Sequence, residues 1–64
     1  MVQTDENTYI CSKDNSEDFL DYMKDDGWNV SDQMGMLYTF EKDGEKINYR
    51  LYFKEFYAQW VECN

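Results

Sequence analysis

The most informative part of this 64-residue chain is MLYTFEKDGEKINYRLYF, residues 36–53. Apolar residues recur at every second position on both sides of Asp43-Gly44, a pair typical of two-residue type I′ hairpin loops. A shift of one residue in strand pairing would move the apolar side chains to the other face, so the register is well specified. The pairs expected on one face of this hairpin are Phe40 with Ile47, Tyr38 with Tyr49 and Met36 with Leu51.

Upstream of the hairpin, the chain predicts a strand, a helix and a second strand. Residues 8–11, TYIC, have strand character, and residues 28–30 open the next strand. Between them, residues 16–26 place Phe19, Leu20 and Met23 on one side of a helix. The side chains of residues 14–16 can cap the N-terminus of this helix, and Gly27 predicts its C-terminal end.

The tail can be interpreted in two ways. Residues 53–61 carry apolar side chains at helical spacing, whereas their Tyr, Trp and Val content favours a strand. We favour a short C-terminal helix. The predicted fold class is therefore α+β, in β-α-β-β-β order, with one acidic amphipathic helix packed on a small antiparallel sheet. The chain forms a single domain over residues 1–64, with residues 1–7 loose. The predicted core consists of Phe19, Leu20, Met23, Trp28, Val30, Tyr38, Phe40, Tyr49 and Leu51.

Charge restricts the partners that the protein can have. Fourteen acidic residues against six basic ones give a net charge of −8. Nine acids and two bases lie in residues 1–36, a net of −7, and five acids and four bases in residues 37–64, a net of −1. This charge repels nucleic acid and anionic membranes and attracts basic surfaces. It also serves solubility, as in many small domains.

The sequence lacks the residues that catalysis, phosphate binding and zinc binding usually require. The sequence contains no His, no phosphate-binding glycine loop and only two cysteines, Cys11 and Cys63, which are too far apart in sequence to form a zinc motif. We therefore expect no enzymatic activity, no cofactor, no metal site and no catalytic residue. We expect both thiols to be free in a reducing cytoplasm.

Carboxylates gather on the side of the predicted helix opposite Phe19 and Met23. Aspartate near a helix C-terminus is disfavoured by the helix dipole, and acids four residues apart repel each other, so Asp25 and Asp26 are not explained by stability. A solvated helix face is the structural alternative. We interpret the acids as a partner-binding site made of Asp14, Glu17, Asp18, Asp21 and Asp25, flanked by Asp26 and Asp32.

Three segments together resemble a bacterial family of uncharacterised small domains. They are residues 19–28, which end in Gly27-Trp28, residues 38–44, YTFEKDG, and residues 49–51, YRL. In that family a short helix ending in GW is followed by a Y-x-F-E-K-G hairpin and a Y-R-L strand. The resemblance covers residues 18–53 and implies the β-α-β-β-β order. It implies no activity for any residue.

By type, a small acidic chain without catalytic residues also resembles the nucleic-acid mimics of bacteriophages, which inhibit uracil-DNA glycosylase, restriction enzymes or CRISPR nucleases. This resemblance implies an inhibitor in the bacterial host cytoplasm. Its partner would be a basic nucleic-acid-binding protein or nuclease, with no direct contact to nucleic acid or membrane. The alternative is a protein-interaction domain, or a homodimeric structural domain, that uses exposed aromatics such as Tyr52, Tyr57 and Trp60.

Overall fold

The computed structural model describes residues 1–63 and shows a domain built mainly from strands. About 59% of the residues are in strands, and the only α-helix in residues 1–63 is short. In chain order the elements are β1 (Val2–Asp5), β2 (Thr8–Ser12), a 3-10 turn (Lys13–Asn15), α1 (Asp18–Asp25), β3 (Asn29–Met34), β4 (Leu37–Lys42), β5 (Glu45–Phe53) and β6 (Tyr57–Cys63).

All six strands form one antiparallel sheet in the order β1-β2-β6-β5-β4-β3. The predicted α+β fold with β-α-β-β-β order is therefore wrong, and the chain is a small β-rich domain. Two strands were not predicted. Residues 2–5 form the edge strand β1, and the tail forms β6 near the middle of the sheet.

The β4–β5 hairpin has the predicted register. Phe40 pairs with Ile47 and Tyr38 with Tyr49, while the backbone N–H of Leu51 donates to the carbonyl of Met36 at 2.9 Å. Both loop residues have positive φ, +50° at Asp43 and +83° at Gly44, as a type I′ turn requires. This prediction is confirmed because the turn and its register are specified by residues close together in sequence.

We expect Gly44→Val to destabilise the domain by about 1–2 kcal/mol, because a β-branched residue resists positive φ. A Cβ at Gly44 would meet no atom within 4 Å, so the cost comes from the backbone alone. Denaturant unfolding measures the effect. Glu45→Val, at the exposed adjacent position, is the matched control and should change stability by less than about 0.5 kcal/mol. Equal stability of the two variants would contradict the assigned turn.

Helix α1 is shorter than residues 16–26 but ends where predicted. Its last turn closes with hydrogen bonds from the Gly27 N–H to the Lys24 carbonyl at 3.0 Å and from the Trp28 N–H to the Met23 carbonyl at 2.9 Å. This pair of bonds is the Schellman motif, which requires the left-handed φ of +94° found at Gly27. The motif turns Trp28 back toward the helix and starts β3.

The tail is a strand, so the predicted C-terminal helix is wrong. β6 pairs with β2 on one side and β5 on the other, for example Thr8 with Val61 and Leu51 with Trp60. These two ladders satisfy the backbone groups of both neighbouring strands, which a terminal helix would leave exposed. The helical spacing of the tail is overridden by pairing with a strand from the other end of the chain.

The core lies between α1 and one face of the sheet, which we call the helix face. Trp60, which was predicted to be exposed, is only 1% accessible, and its ring centroid lies 4.8 Å from that of Phe19. Val30, which was predicted to be in the core, is 46% exposed on the edge strand β3. Leu20, Trp28 and Tyr38 are partly buried against the core. The fully buried apolar residues are Cys11, Phe19, Met23, Phe40, Tyr49, Leu51, Ala58 and Trp60.

Candidate functional site

The structure brings six of the seven predicted site carboxylates to the side of the molecule where α1 lies. Three are on α1 itself and two occupy its N-cap and C-cap positions, while Asp14 belongs to the preceding 3-10 turn. All six are exposed. We call this group the acidic surface: Asp14, Glu17, Asp18, Asp21, Asp25 and Asp26.

Asp32, the seventh predicted residue, is separated from the acidic surface. It pairs with Thr39 on the edge strand β3, and this register places it on the side of the sheet away from α1. Asp14 also differs from expectation, because it lies in a separate 3-10 turn, with two residues between this turn and α1, and not in α1 itself. A single helical stripe of five carboxylates is therefore not present.

The three carboxylates on α1 point away from the core. On an ideal helix, Asp18, Asp21 and Asp25 fall within a sector of about 60°, opposite the buried side chains of Phe19 and Met23. This separation follows from the spacing of the apolar residues, since they must face the sheet. Consequently the acids can be changed without altering the packing of α1.

Basic residues neutralise little of the acidic surface. Within residues 1–63, only Asp26 of this group has an ion pair, with Oδ2 4.0 Å from Nζ of Lys42. Lys42 also lies over the Trp28 ring, 5.8 Å from its centroid. Residues 14–26 contain six acids and one base, Lys24, a net charge of −5. More than half of the net charge of −8 is thus concentrated in one exposed segment.

A shallow groove adjoins the acidic surface, between α1 and the start of β3. It has a volume of about 280 Å³ and combines apolar walls with one acid and one base. Its walls are formed by Leu20, Asp21, Lys24, Trp28, Asn29 and Val30. The groove is where the exposed Val30 and the half-buried Trp28 meet solvent.

The buried titratable groups are held in their neutral forms. Burial, reinforced by the nearby Glu62 carboxylate, raises the pKa of Tyr49 to about 12, and its hydroxyl donates to Glu62 Oε1 at 3.4 Å. Burial also raises the pKa of Tyr9 and that of the Cys11 thiol. A protonated, buried thiol is a poor nucleophile, so Cys11 fits a packing role.

The side of the sheet away from α1, which we call the open face, carries no helix or loop layer within residues 1–63. Its exposed aromatics are Tyr52 and Tyr57, 41% and 37% accessible. Nζ of Lys54 lies 5.3 Å from the Tyr52 ring centroid. Phe56, in the β5–β6 turn, is 83% exposed. Among the aromatics proposed for interaction, Tyr52 and Tyr57 are available, whereas the buried Trp60 is not.

Two further observations concern possible ligands and membranes. Within residues 1–63, no three His, Cys, Asp or Glu side chains are grouped so that they could hold a metal ion. None of the helices in this part of the chain combines the length and apolar character needed to cross a membrane.

No protein-family model, curated protein or solved structure matches this chain. The resemblance of residues 18–53 to the bacterial GW and YxFEKG domains stays a prediction, as does the resemblance by type to phage inhibitors.

Proposed function

We propose that the protein is an inhibitor that binds a basic nucleic-acid-binding protein or nuclease, with its acidic surface in the place of nucleic acid. Such an inhibitor would act in a bacterial cytoplasm and would be of the phage anti-defence type, anti-CRISPR proteins included. No step of this function requires a catalytic residue, cofactor or metal.

The observation that carries the proposal is the unneutralised charge of the acidic surface. Six exposed carboxylates lie in a segment of 13 residues, and one of them is ion-paired. The cost of this arrangement is repulsion between Asp21 and Asp25, four residues apart, and an unfavourable position for Asp25 at the helix C-terminus. The basic side chains of a partner would offset both the repulsion and the unfavourable helix-dipole interaction, because they would neutralise the charge of these carboxylates.

The spacing of the carboxylates suits a site that binds phosphates. Asp21 and Asp25 are separated by one helical turn, about 6 Å along the axis. Successive phosphates of one nucleic-acid strand are about 3.4 Å apart along its axis. Carboxylates at this spacing can therefore pair with basic side chains of the partner that would bind every second phosphate. The long-range electrostatic field of the acidic surface also increases the rate at which the two proteins meet.

Capture from a bacterial lysate tests the proposal. The immobilised protein should retain a basic nucleic-acid-binding protein at low salt and release it at high salt, because salt screens an interface made of charges. A short DNA or RNA duplex should compete for the captured protein. Retention that resists both high salt and nucleic acid would contradict the proposed mimicry.

The exposed aromatics support a second candidate function, a protein-interaction domain in which charge serves only solubility. Tyr52, Tyr57 and Phe56 lie around the β5–β6 hairpin, and aromatic residues are enriched at protein interfaces. A partner that is retained at high salt and lost on Phe56→Ser would favour this function over the first.

A further inference from the structure

The open face contains an apolar band that crosses the sheet from edge to edge. Antiparallel register places one apolar side chain from every strand on this face. The members, in sheet order, are Val2, Ile10, Val61, Tyr52, Leu37 and Met34. The two edge members are the most exposed, Val2 at 63% and Met34 at 73%, and Tyr52 near the centre is 41% exposed.

The band is not explained by the core of the molecule, which lies on the helix face. An antiparallel sheet with one solvated face normally presents polar residues on that face. Polar residues are present here in the half near Thr39 and Asn48, whose side chains bond to each other at 2.7 Å between Oγ1 and Oδ1. The other half presents the apolar band, with Arg50 between Val61 and Leu37 and Gln59 between Ile10 and Tyr52.

Charge distinguishes the open face from the rest of this acidic molecule. By register it carries three acids, Asp5, Asp32 and Glu41, and two bases, Lys46 and Arg50, with Lys54 drawn onto it by the Tyr52 ring. The three acids and three bases give this face a net charge of zero, against −5 for residues 14–26 on the other side. The open face is thus the surface on which a second copy of this chain meets the least electrostatic repulsion.

We infer that the open face binds a second copy of the chain, forming a homodimer in which two sheets pack face to face. Sheets packed in this way lie about 10 Å apart. The two α1 helices are then on the outside, roughly 30 Å apart and several Debye lengths from each other, so their acids do not oppose association. The dimer displays two acidic surfaces that face in opposite directions.

The geometry favours pairing of faces over pairing of edges. Both edge strands are irregular, with register shifts between Gln3 and Asp5 in β1 and between Val30 and Asp32 in β3. Such bulges block the addition of a strand from another chain. A standard interface buries about 800 Å² per partner, which is less than a fifth of the 4483 Å² surface of this chain and is within the capacity of one sheet face.

Sedimentation equilibrium of the full chain, from micromolar to millimolar concentration, tests the inference. The expected species at high concentration has twice the 7.8 kDa mass of one chain. It should persist at high salt, because apolar contacts do not weaken with screening. A monomer throughout this range would overturn the inference. Since no other protein is present, this result is independent of whether the acidic surface binds a basic partner.

Two matched pairs of variants locate the interface. Tyr52→Lys should weaken the dimer by about 30-fold or more, whereas Phe53→Lys, at a neighbouring residue of similar exposure on the helix face, should not. Met34→Lys and Val30→Lys form the second pair, on opposite faces of β3. All four positions are exposed, and circular dichroism confirms that each variant is folded. A dimer that survives both open-face changes, or that is lost equally in the controls, would overturn the assignment.

Discussion

The Trp60→Ala variant is expected to lose about 3–5 kcal/mol of the free energy of unfolding. Trp60 is 1% accessible and its ring contacts those of Phe19 and Tyr38, with centroids 4.8 and 4.9 Å away. Its Nε1 donates to the carbonyl of Ser16 at 3.0 Å, which ties β6 to the segment before α1. A domain of this size has a total stability of about 3–10 kcal/mol, so the variant should be largely unfolded near its normal working temperature.

Denaturant and thermal unfolding measure this loss, with two companion variants. Phe56→Ala removes an aromatic ring that is 83% exposed and should change stability by less than about 0.5 kcal/mol. Trp60→Phe keeps most of the ring packing but loses the hydrogen bond to Ser16, and should cost about 1–3 kcal/mol. If Trp60→Ala were as stable as Phe56→Ala, the central position of β6 in the sheet would be wrong.

The double variant Asp21→Lys, Asp25→Lys is expected to weaken binding to the captured basic partner by about 100-fold or more. Close charge pairs across an interface couple by about 1.5 kcal/mol or more each, and both would turn from attraction to repulsion. The fold should be retained, because both side chains point away from Phe19 and Met23. Lysine near the helix C-terminus should even add a few tenths of a kcal/mol of stability.

A control with the same change in net charge separates the acidic surface from general electrostatics. Glu6→Lys, Glu55→Lys alters two exposed acids outside residues 14–26 and has no ion pair to lose within residues 1–63. Isothermal calorimetry should give this control an affinity within a few-fold of the original chain. If both double variants lost affinity equally, net charge alone would be responsible, and full affinity in Asp21→Lys, Asp25→Lys would exclude the acidic surface as the binding site.

The site could be predicted from sequence in part. The exposure of the acids and the placement of Asp18, Asp21 and Asp25 opposite Phe19 follow from helical periodicity, which is a local property. The length of the helix and the position of Asp32 do not follow from helical periodicity. Asp32 lies on the open face because a bulge and pairing with β4 set the register of β3. The apolar band could not be recognised either, since its members come from six strands, two of which were not predicted.

By itself, the sequence determined the elements whose signals lie within a few residues. The turn at Asp43-Gly44, the register around it and the stop of α1 at Gly27 all depend on which residues accept positive φ and on the alternation beside them.

Only the tertiary structure decided the conformation of the tail and of residues 2–5. A segment such as Tyr57–Cys63 has apolar side chains at both helical and strand spacing, so its local pattern is compatible with either state. Pairing with β2 and β5 selected the strand, because the backbone groups of both neighbours needed partners and Trp60 could then be buried beneath α1. Contacts between the two ends of a chain are formed by the fold as a whole, and no local pattern encodes them.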